Sequence, residues 1–454
     1  MAFPDATPFK KPVIPAPEGL AWQWACLRIA AIAIFLFAMV PIDPIMSAIL
    51  VPILPTWIIV ELLRFRVPIF DYRIIYLFAH TFWLGTWNSI SLISQSIEFP
   101  SRIFGSYPVY VTAIILSCML TLVAPYISIP RRIFEDMQNF RKPVLAAFFG
   151  LAALSFVMYA INQVSTDFSL VLLLGPLVVM GAMALLLIPA NTPQRIALVM
   201  TIVIIELVIS VLFATSRTAV LLPIWCCCLA LFLRNIYFER IFRYWVFLIL
   251  IPVLGLIVIF ASGMKFASQT GFDFTQVNVF DLLRVGITKQ QYLQFNSFAA
   301  LYYFSGMDNI VAFRNEYFGI VFFQLFSIFF PRRFFPDKPA TDVVRIMYDR
   351  NQIELNAQYD PLFEKMADAG IPGVLFYSFL PMVITAVLAK ASTKSKYPGV
   401  RLLGLGVFIL NTAVLFISIR GPYIVLAWAA IPCLVLSFVL WFECVSHPKG
   451  SASQ

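Results

Sequence analysis

The sequence predicts an all-α, polytopic integral membrane protein of about twelve transmembrane helices with one large loop on its outer face. Three observations carry that prediction. The 454 residues are 61% hydrophobic and 12% charged, and a soluble globule cannot be dressed with so little charge. Apolar runs of roughly 17 to 25 residues recur along the chain. Lysine and arginine concentrate on alternate connections between those runs, as the positive-inside rule requires of cytoplasmic loops.

The runs fall at residues 25–40, 44–63, 74–93, 109–129, 144–161, 168–189, 196–214, 218–233, 244–262, 371–389, 402–418 and 423–444. A polar, proline-containing leader precedes the first run, which lacks a small-residue cleavage site, so it is expected to stay as a span. Lys10 and Lys11, then Arg64, Arg66 and Arg73, then Arg131, Arg132, Arg141 and Lys142 lie on one side. Arg195, then Arg234, Arg240 and Arg243, then Lys390, Lys394, Lys396 and Arg401 continue the pattern. That side is expected to be cytoplasmic, with both termini inside. The chain then divides into a bundle of nine spans over 1–262, a large periplasmic loop over 263–370, and three spans with a cytoplasmic tail over 371–454. Within the loop, residues 317–330 are apolar over a stretch too short to cross, which predicts an interfacial or re-entrant helix. Residues 277–285 and 295–304 have an amphipathic, aromatic pattern that suggests further helices lying on the membrane.

Topology accounts for most of the net charge of +9, so no nucleic-acid partner is implied. The seven cysteines (Cys26, Cys118, Cys226, Cys227, Cys228, Cys433, Cys444) all lie within or at the edge of apolar runs, which argues against a disulfide framework. Consecutive Cys226, Cys227 and Cys228 point around a helix and do not converge on one metal. The two histidines are His80, inside a span, and His447, in the tail, so no histidine base or histidine metal site is expected on the outer face. No Asp-x-Asp pair occurs there either, and metal-assisted glycosyl transfer of the carboxylate type is not supported.

The chemistry-bearing residues collect on the outer side. Arg217, in Thr215-Ser216-Arg217-Thr218, and Arg420, in Ser418-Ile419-Arg420-Gly421, sit in very short outer connections and oppose the charge bias. Each alone is explained by snorkelling to headgroup phosphates; together on one face with Arg332 and Arg333, they suggest a shared anion site. Arg332-Arg333 stand in Phe330-Pro331-Arg332-Arg333-Phe334-Phe335-Pro336-Asp337-Lys338-Pro339, whose prolines restrict the backbone. Adjacent arginines usually point apart, so the pair need not reach one ligand together. The guanidinium fork suits phosphate or diphosphate, and Lys338 adds a point charge.

Downstream, Asp360 followed by Pro361 reads as an N-cap and first helical residue. Asp360, Glu364 and Asp368 recur at helical spacing on one face. They read either as a solvated, helix-starting acid stripe or as the source of a general base, Glu364 or Asp360. Gly370 and Gly373 bracket the entry to the next span, where glycine permits a turn and close helix approach.

In this order, Ser216-Arg217, Pro331-Arg332-Arg333 through Asp337-Lys338-Pro339, Glu364 with Gly370 and Gly373, and Arg420-Gly421 resemble the Wzy-type O-antigen and exopolysaccharide repeat-unit polymerases. The resemblance covers residues 207–423; the first half matches as a row of helices. It implies a GT-C-like polymerase or ligase fold in a bacterial inner membrane. It also implies an enzyme that joins undecaprenyl-pyrophosphate-linked oligosaccharides on the periplasmic face, without cofactor or metal. A membrane lipid environment and a chain-length regulator are the other partners it suggests. Arg217 and Arg420, with Arg332, Arg333 and Lys338, would hold the diphosphate, Glu364 or Asp360 would accept a proton, and Tyr359 is among the tyrosines placed to stack on sugars. The related O-antigen ligases use a histidine in the large outer loop, and this chain has none there. A lipid-linked oligosaccharide flippase or transporter is the alternative, since about twelve spans with both ends inside is also its usual form.

Overall fold

The computed structural model describes residues 19–69, 71–81, 107–124, 225–233, 314–320, 322–323, 361–396 and 398–418, with single positions at 201, 249 and 256 and within 278–284 and 434–438. The regular elements among the described residues are helices, without a strand. Three of them are long and apolar enough to cross a membrane: Leu20–Met39, Ile45–Arg64 and Asp368–Ala391.

Helix α1 (Leu20–Met39) has no internal glycine or proline and begins after Gly19, whose φ is 87°. Its buried residues, Ala25, Ile29, Ala33 and Leu36, recur every three or four positions and form one packing face. Leu20, Trp24, Leu27, Ile34 and Phe35 are exposed on the rest of the cylinder, as expected where lipid and not water is the neighbour. The helix starts five residues before the apolar run used to predict it, since the run was bounded by hydropathy and Gln23 does not interrupt a helix.

A short connection leads to α2 (Pro44–Leu50), where the Asp43 carboxylate accepts from the Met46 backbone N–H at 2.9 Å and Pro44 occupies the first turn. The second predicted span runs through α2 and α3 (Ile53–Arg64) as one membrane-capable stretch, with Val51 and Pro52 between them keeping helical backbone angles. Pro52 has no N–H to give to the preceding turn. Arg66 then adopts a positive φ of 60° and reverses the chain. Asp71 caps α4 (Tyr72–Ala79), accepting from the Arg73 backbone N–H at 3.0 Å and from the Arg73 guanidinium at 2.8 and 3.1 Å.

That contact adds to the reading of Arg73. It is buried and ion-paired with Asp71, a partnership that the charge pattern along the sequence does not show.

Helices α5 (Tyr107–Val123), α6 (Pro361–Thr393) and α7 (Pro398–Ser418) complete the regular elements. Helix α6 packs against α7 and α5, α7 against α4, and α4 against α3, while α1 and α2 close the group beside α5. The outer-loop segment expected as one apolar helix at 317–330 is helical earlier, over 314–317. It turns at Phe318-Gly319, where Gly319 has φ 82°, and is helical again at Ile320, Phe322 and Phe323. Cys226 and Cys227 are buried in the helical stretch 225–233, in keeping with small-residue packing.

Candidate functional site

Of the residues given a catalytic or substrate-binding role from the sequence, Glu364 falls in a described helix, as the fourth residue of α6; its side chain lies outside the described residues. Arg217, Arg332, Arg333, Lys338, Tyr359, Asp360 and Arg420 also lie outside them. What the structure does describe is the ground on which Glu364 stands.

Helix α6 is two helices joined by a sharp break at Ala369 (φ −137°, ψ 16°) and Gly370 (φ 67°, ψ −153°). The Gly370 conformation is one that a side chain makes costly. Side-chain contacts show how sharp the break is. The Tyr377 hydroxyl donates to Asp368 Oδ2 at 2.5 Å, nine residues away, and Lys365 Nζ donates to Ser378 Oγ at 3.3 Å, thirteen residues away. A straight α-helix rising 1.5 Å per residue would separate those pairs by about 13 and about 20 Å, beyond the reach of the side chains. Residues 361–368 are therefore a short arm folded back onto the span that begins at Ile371.

Gly373 is where the two backbones meet. A Cβ there would collide with the Lys365 carbonyl oxygen and stand 2.9 Å from Ala369 Cβ. At Gly370, the three terminal guanidinium atoms of Arg314 lie 3.3 Å from where a Cβ would stand. The Phe322 backbone is hydrogen-bonded to the Tyr377 hydroxyl. The segment around Arg314 to Phe322 thus packs on the elbow.

The arm's inner face is polar and dry. Lys365 is 3% exposed and Asp368 is fully buried. A solvated acid stripe through Asp360, Glu364 and Asp368 would expose Asp368, so that reading of the i, i+4 pattern does not hold at its last member.

Ser378 continues the polar contacts inward. It is buried in the neighbourhood of the Tyr76 hydroxyl, which is 2.6 Å from Ser117 Oγ, and Ser117 Oγ is 2.7 Å from His80 Nε2. His80 Nδ1 is 3.0 Å from the Tyr76 carbonyl oxygen. A carbonyl only accepts, so Nδ1 carries the proton, and in a neutral ring Nε2 accepts from Ser117. The directions then follow: Lys365 donates to Ser378, and beside that bond Tyr76 donates to Ser117 and Ser117 to His80. Residues of α6, α4 and α5 take part, which ties the arm to the helices beneath it. Sequence reasoning placed His80 within a span; it did not find this polar group, because its members are separated by up to 302 positions and meet only through packing.

A second buried charge escaped the sequence reading. Glu61, 2% exposed in α3, accepts from Arg28 Nε of α1 at 2.8 Å and is 2.7 Å from Arg28 Nη2, with Arg64 at 4.0 Å. A glutamate inside one apolar run and an arginine inside another was the available signal, since charges at such positions are costly unless paired.

Among the described residues no group of three His, Cys, Asp or Glu is placed to hold a metal ion. Comparison with family models, with curated proteins and with solved structures finds no match. The class that the structure defines is accordingly a helical protein with at least three membrane-capable helices and a hydrogen-bonded elbow at the start of one of them.

Proposed function

We propose that the chain is a repeat-unit polymerase of about twelve spans in a bacterial inner membrane, joining undecaprenyl-pyrophosphate-linked oligosaccharides at the periplasmic face. The observation that carries the reading is the order of Ser216-Arg217, Pro331-Arg332-Arg333 to Lys338-Pro339, Glu364 with Gly370 and Gly373, and Arg420-Gly421 along a chain of this hydropathy. Consistent with it, both glycines have backbone-dictated roles at the elbow that carries Glu364.

In the reaction, a hydroxyl oxygen of the incoming lipid-linked repeat forms a bond to the anomeric carbon of the growing chain. The bond from that carbon to the diphosphate oxygen breaks, and the polyprenyl diphosphate departs with the electron pair. The hydroxyl proton passes to Glu364 or, failing it, Asp360. Arg217, Arg420 and one or both of Arg332 and Arg333 stabilise the charge developing on the diphosphate, an effect on the order of several kcal/mol for preorganised cations. Lys338 adds to that field, and Tyr359 offers a stacking surface for sugar.

Deleting the gene and resolving the glycans by electrophoresis tests the reading. A polymerase leaves single-repeat product, whereas a flippase or transporter leaves little or none. A ligase leaves polymer that is not transferred to its lipid acceptor. Glu364→Gln is expected to lower turnover more than substrate binding; full activity in that variant moves the base elsewhere.

A further inference from the structure

We infer that Lys365 and Asp368 are positioning residues: by bonding to Ser378 and Tyr377 they hold the arm 361–368 in the one folded-back posture from which Glu364 can serve the transfer. The inference rests on the polymerase reading for what Glu364 does, and on the structure for how the arm is held.

The arm is too short to hold itself. Eight residues make about two helical turns, well below the length at which a helix is stable in isolation. Its posture must come from contacts with the span. Two of these are directional. The bond between Tyr377 and Asp368 lies next to the elbow, and that between Lys365 and Ser378 lies about one turn further along the arm. Two bonds at different points along a short rod fix both its angle and its rotation about its own axis, which a single bond does not. Rotation is what matters for a neighbouring side chain. Glu364 is adjacent to Lys365 in sequence, so turning the arm to move Lys365 off Ser378 turns Glu364 by the same angle.

The anchors are themselves held. Ser378 is buried beside the Tyr76–Ser117–His80 bonds, and the Tyr377 hydroxyl faces the Phe322 backbone. The close approach is possible because residue 373 lacks a side chain. Every polar contact named here is buried or at the elbow, where the alternative partner, water, is excluded. Loss of one anchor therefore removes a directional bond from a buried site.

The test uses the full-length protein in native membranes or proteoliposomes, with two readouts. The first is geometric: cysteines replacing Lys365 and Ser378, in a background whose seven native cysteines are changed to serine or alanine, are treated with a bismaleimide much shorter than the roughly 20 Å that thirteen residues of straight helix would span. Cross-linking within one chain is expected, since the Tyr377–Asp368 bond remains in this variant and keeps the arm folded back on the span, and its absence overturns the folded-back posture on which the inference rests. The second is kinetic: Tyr377→Phe and Ser378→Ala, each a small change at a site outside the reacting groups, are expected to lower kcat about tenfold with KM unchanged. Ser378→Thr, which keeps the hydroxyl, is expected to restore most of the rate. Variants as active as the parent overturn the positioning role while the polymerase reading stands. A fall in KM and kcat that tracks reduced protein level, without rescue by threonine, assigns the bonds to stability alone and also overturns it. A parent protein that makes no polymer although the cross-link forms overturns the positioning role through failure of the polymerase reading, with the folded arm intact.

Discussion

Replacing Gly373 by alanine is the most direct probe of the elbow, because the expected cost follows from what the added carbon meets. The Cβ collides with the Lys365 carbonyl oxygen and lies 2.9 Å from Ala369 Cβ, with the Lys365 carbonyl carbon at 3.4 Å. Two of those atoms are backbone, so relief requires the arm to lift off the span and not a side chain to swing aside. Overpacking of a closely fitted interior costs about 1 to 3 kcal/mol, and more where the backbone must move. Lifting the arm also weakens two buried hydrogen bonds, each worth roughly 1 kcal/mol or more. A destabilisation of about 3 kcal/mol is expected. Two other glycines provide the scale. Gly370→Ala meets a positive φ and the Arg314 guanidinium at 3.3 Å, which can shift, so about 1 to 3 kcal/mol of backbone strain dominates. Gly19→Ala meets a positive φ and open space, and at the entry to α1 the chain relaxes most of that strain. Unfolding of the purified variants in mixed detergent micelles, followed by the midpoint in denaturing detergent, should rank Gly373→Ala as most damaging and Gly19→Ala as least. A Gly373→Ala protein as stable as the parent would falsify the folded-back arm.

Arg217→Ala and Arg420→Ala should each abolish long glycan chains while leaving membrane insertion intact; unchanged ladders in both, read by electrophoresis, remove these arginines from the site. Arg28→Met leaves Glu61 buried without its guanidinium partner and should cost about 3 kcal/mol, whereas Glu61→Gln costs less because Arg28 is 39% exposed in its side chain and turns to solvent. Equal losses in the two variants, measured by thermal unfolding, would contradict the burial asymmetry. Ser117→Ala removes the hydroxyl that joins Tyr76 to His80 and should cost about 2 kcal/mol, more than Tyr76→Phe; the double variant should cost less than the sum, since both act on one line. Strict additivity in that cycle argues that the residues do not form a connected line.

The helices that hydropathy and local capping specify were legible in the chain. Residues 20–39 form a long apolar cylinder, and Pro361 opens α6 where an Asp-Pro pair predicted a helix start. The glycines at 370 and 373 were expected to allow a turn and a close approach, and they do so within four residues of each other. The reversal itself was not legible. Hydropathy marks where the apolar run begins at Ile371 but not that the polar segment before it folds back, and the bonds that close the elbow join residues nine and thirteen apart, which no helical period selects. Charges were only partly legible for a related reason. Arg73 was read by sign and Asp368 by spacing, and neither reading shows that Asp71 pairs with the first or that Tyr377 donates to the buried second. Neither sign nor spacing carries the partner, and the partner decides whether a charge faces water.

The choice of polar anchors in the arm is itself informative. Apolar side chains of similar volume would hold a short helix against a span without the desolvation cost of a buried ammonium and carboxylate, and such exchanges are often neutral or stabilising. Stability therefore does not explain why lysine and aspartate occupy positions 365 and 368. What they add is direction. An apolar contact tolerates sliding and rotation, whereas a hydroxyl at 2.5 Å from a carboxylate oxygen and an ammonium at 3.3 Å from a serine permit little of either. A helix that only needed to lie on the membrane surface would gain nothing from that restriction. An arm that presents one side chain to a reacting hydroxyl, where a displacement of about 1 Å costs a large factor in rate, gains the geometry that the chemistry requires.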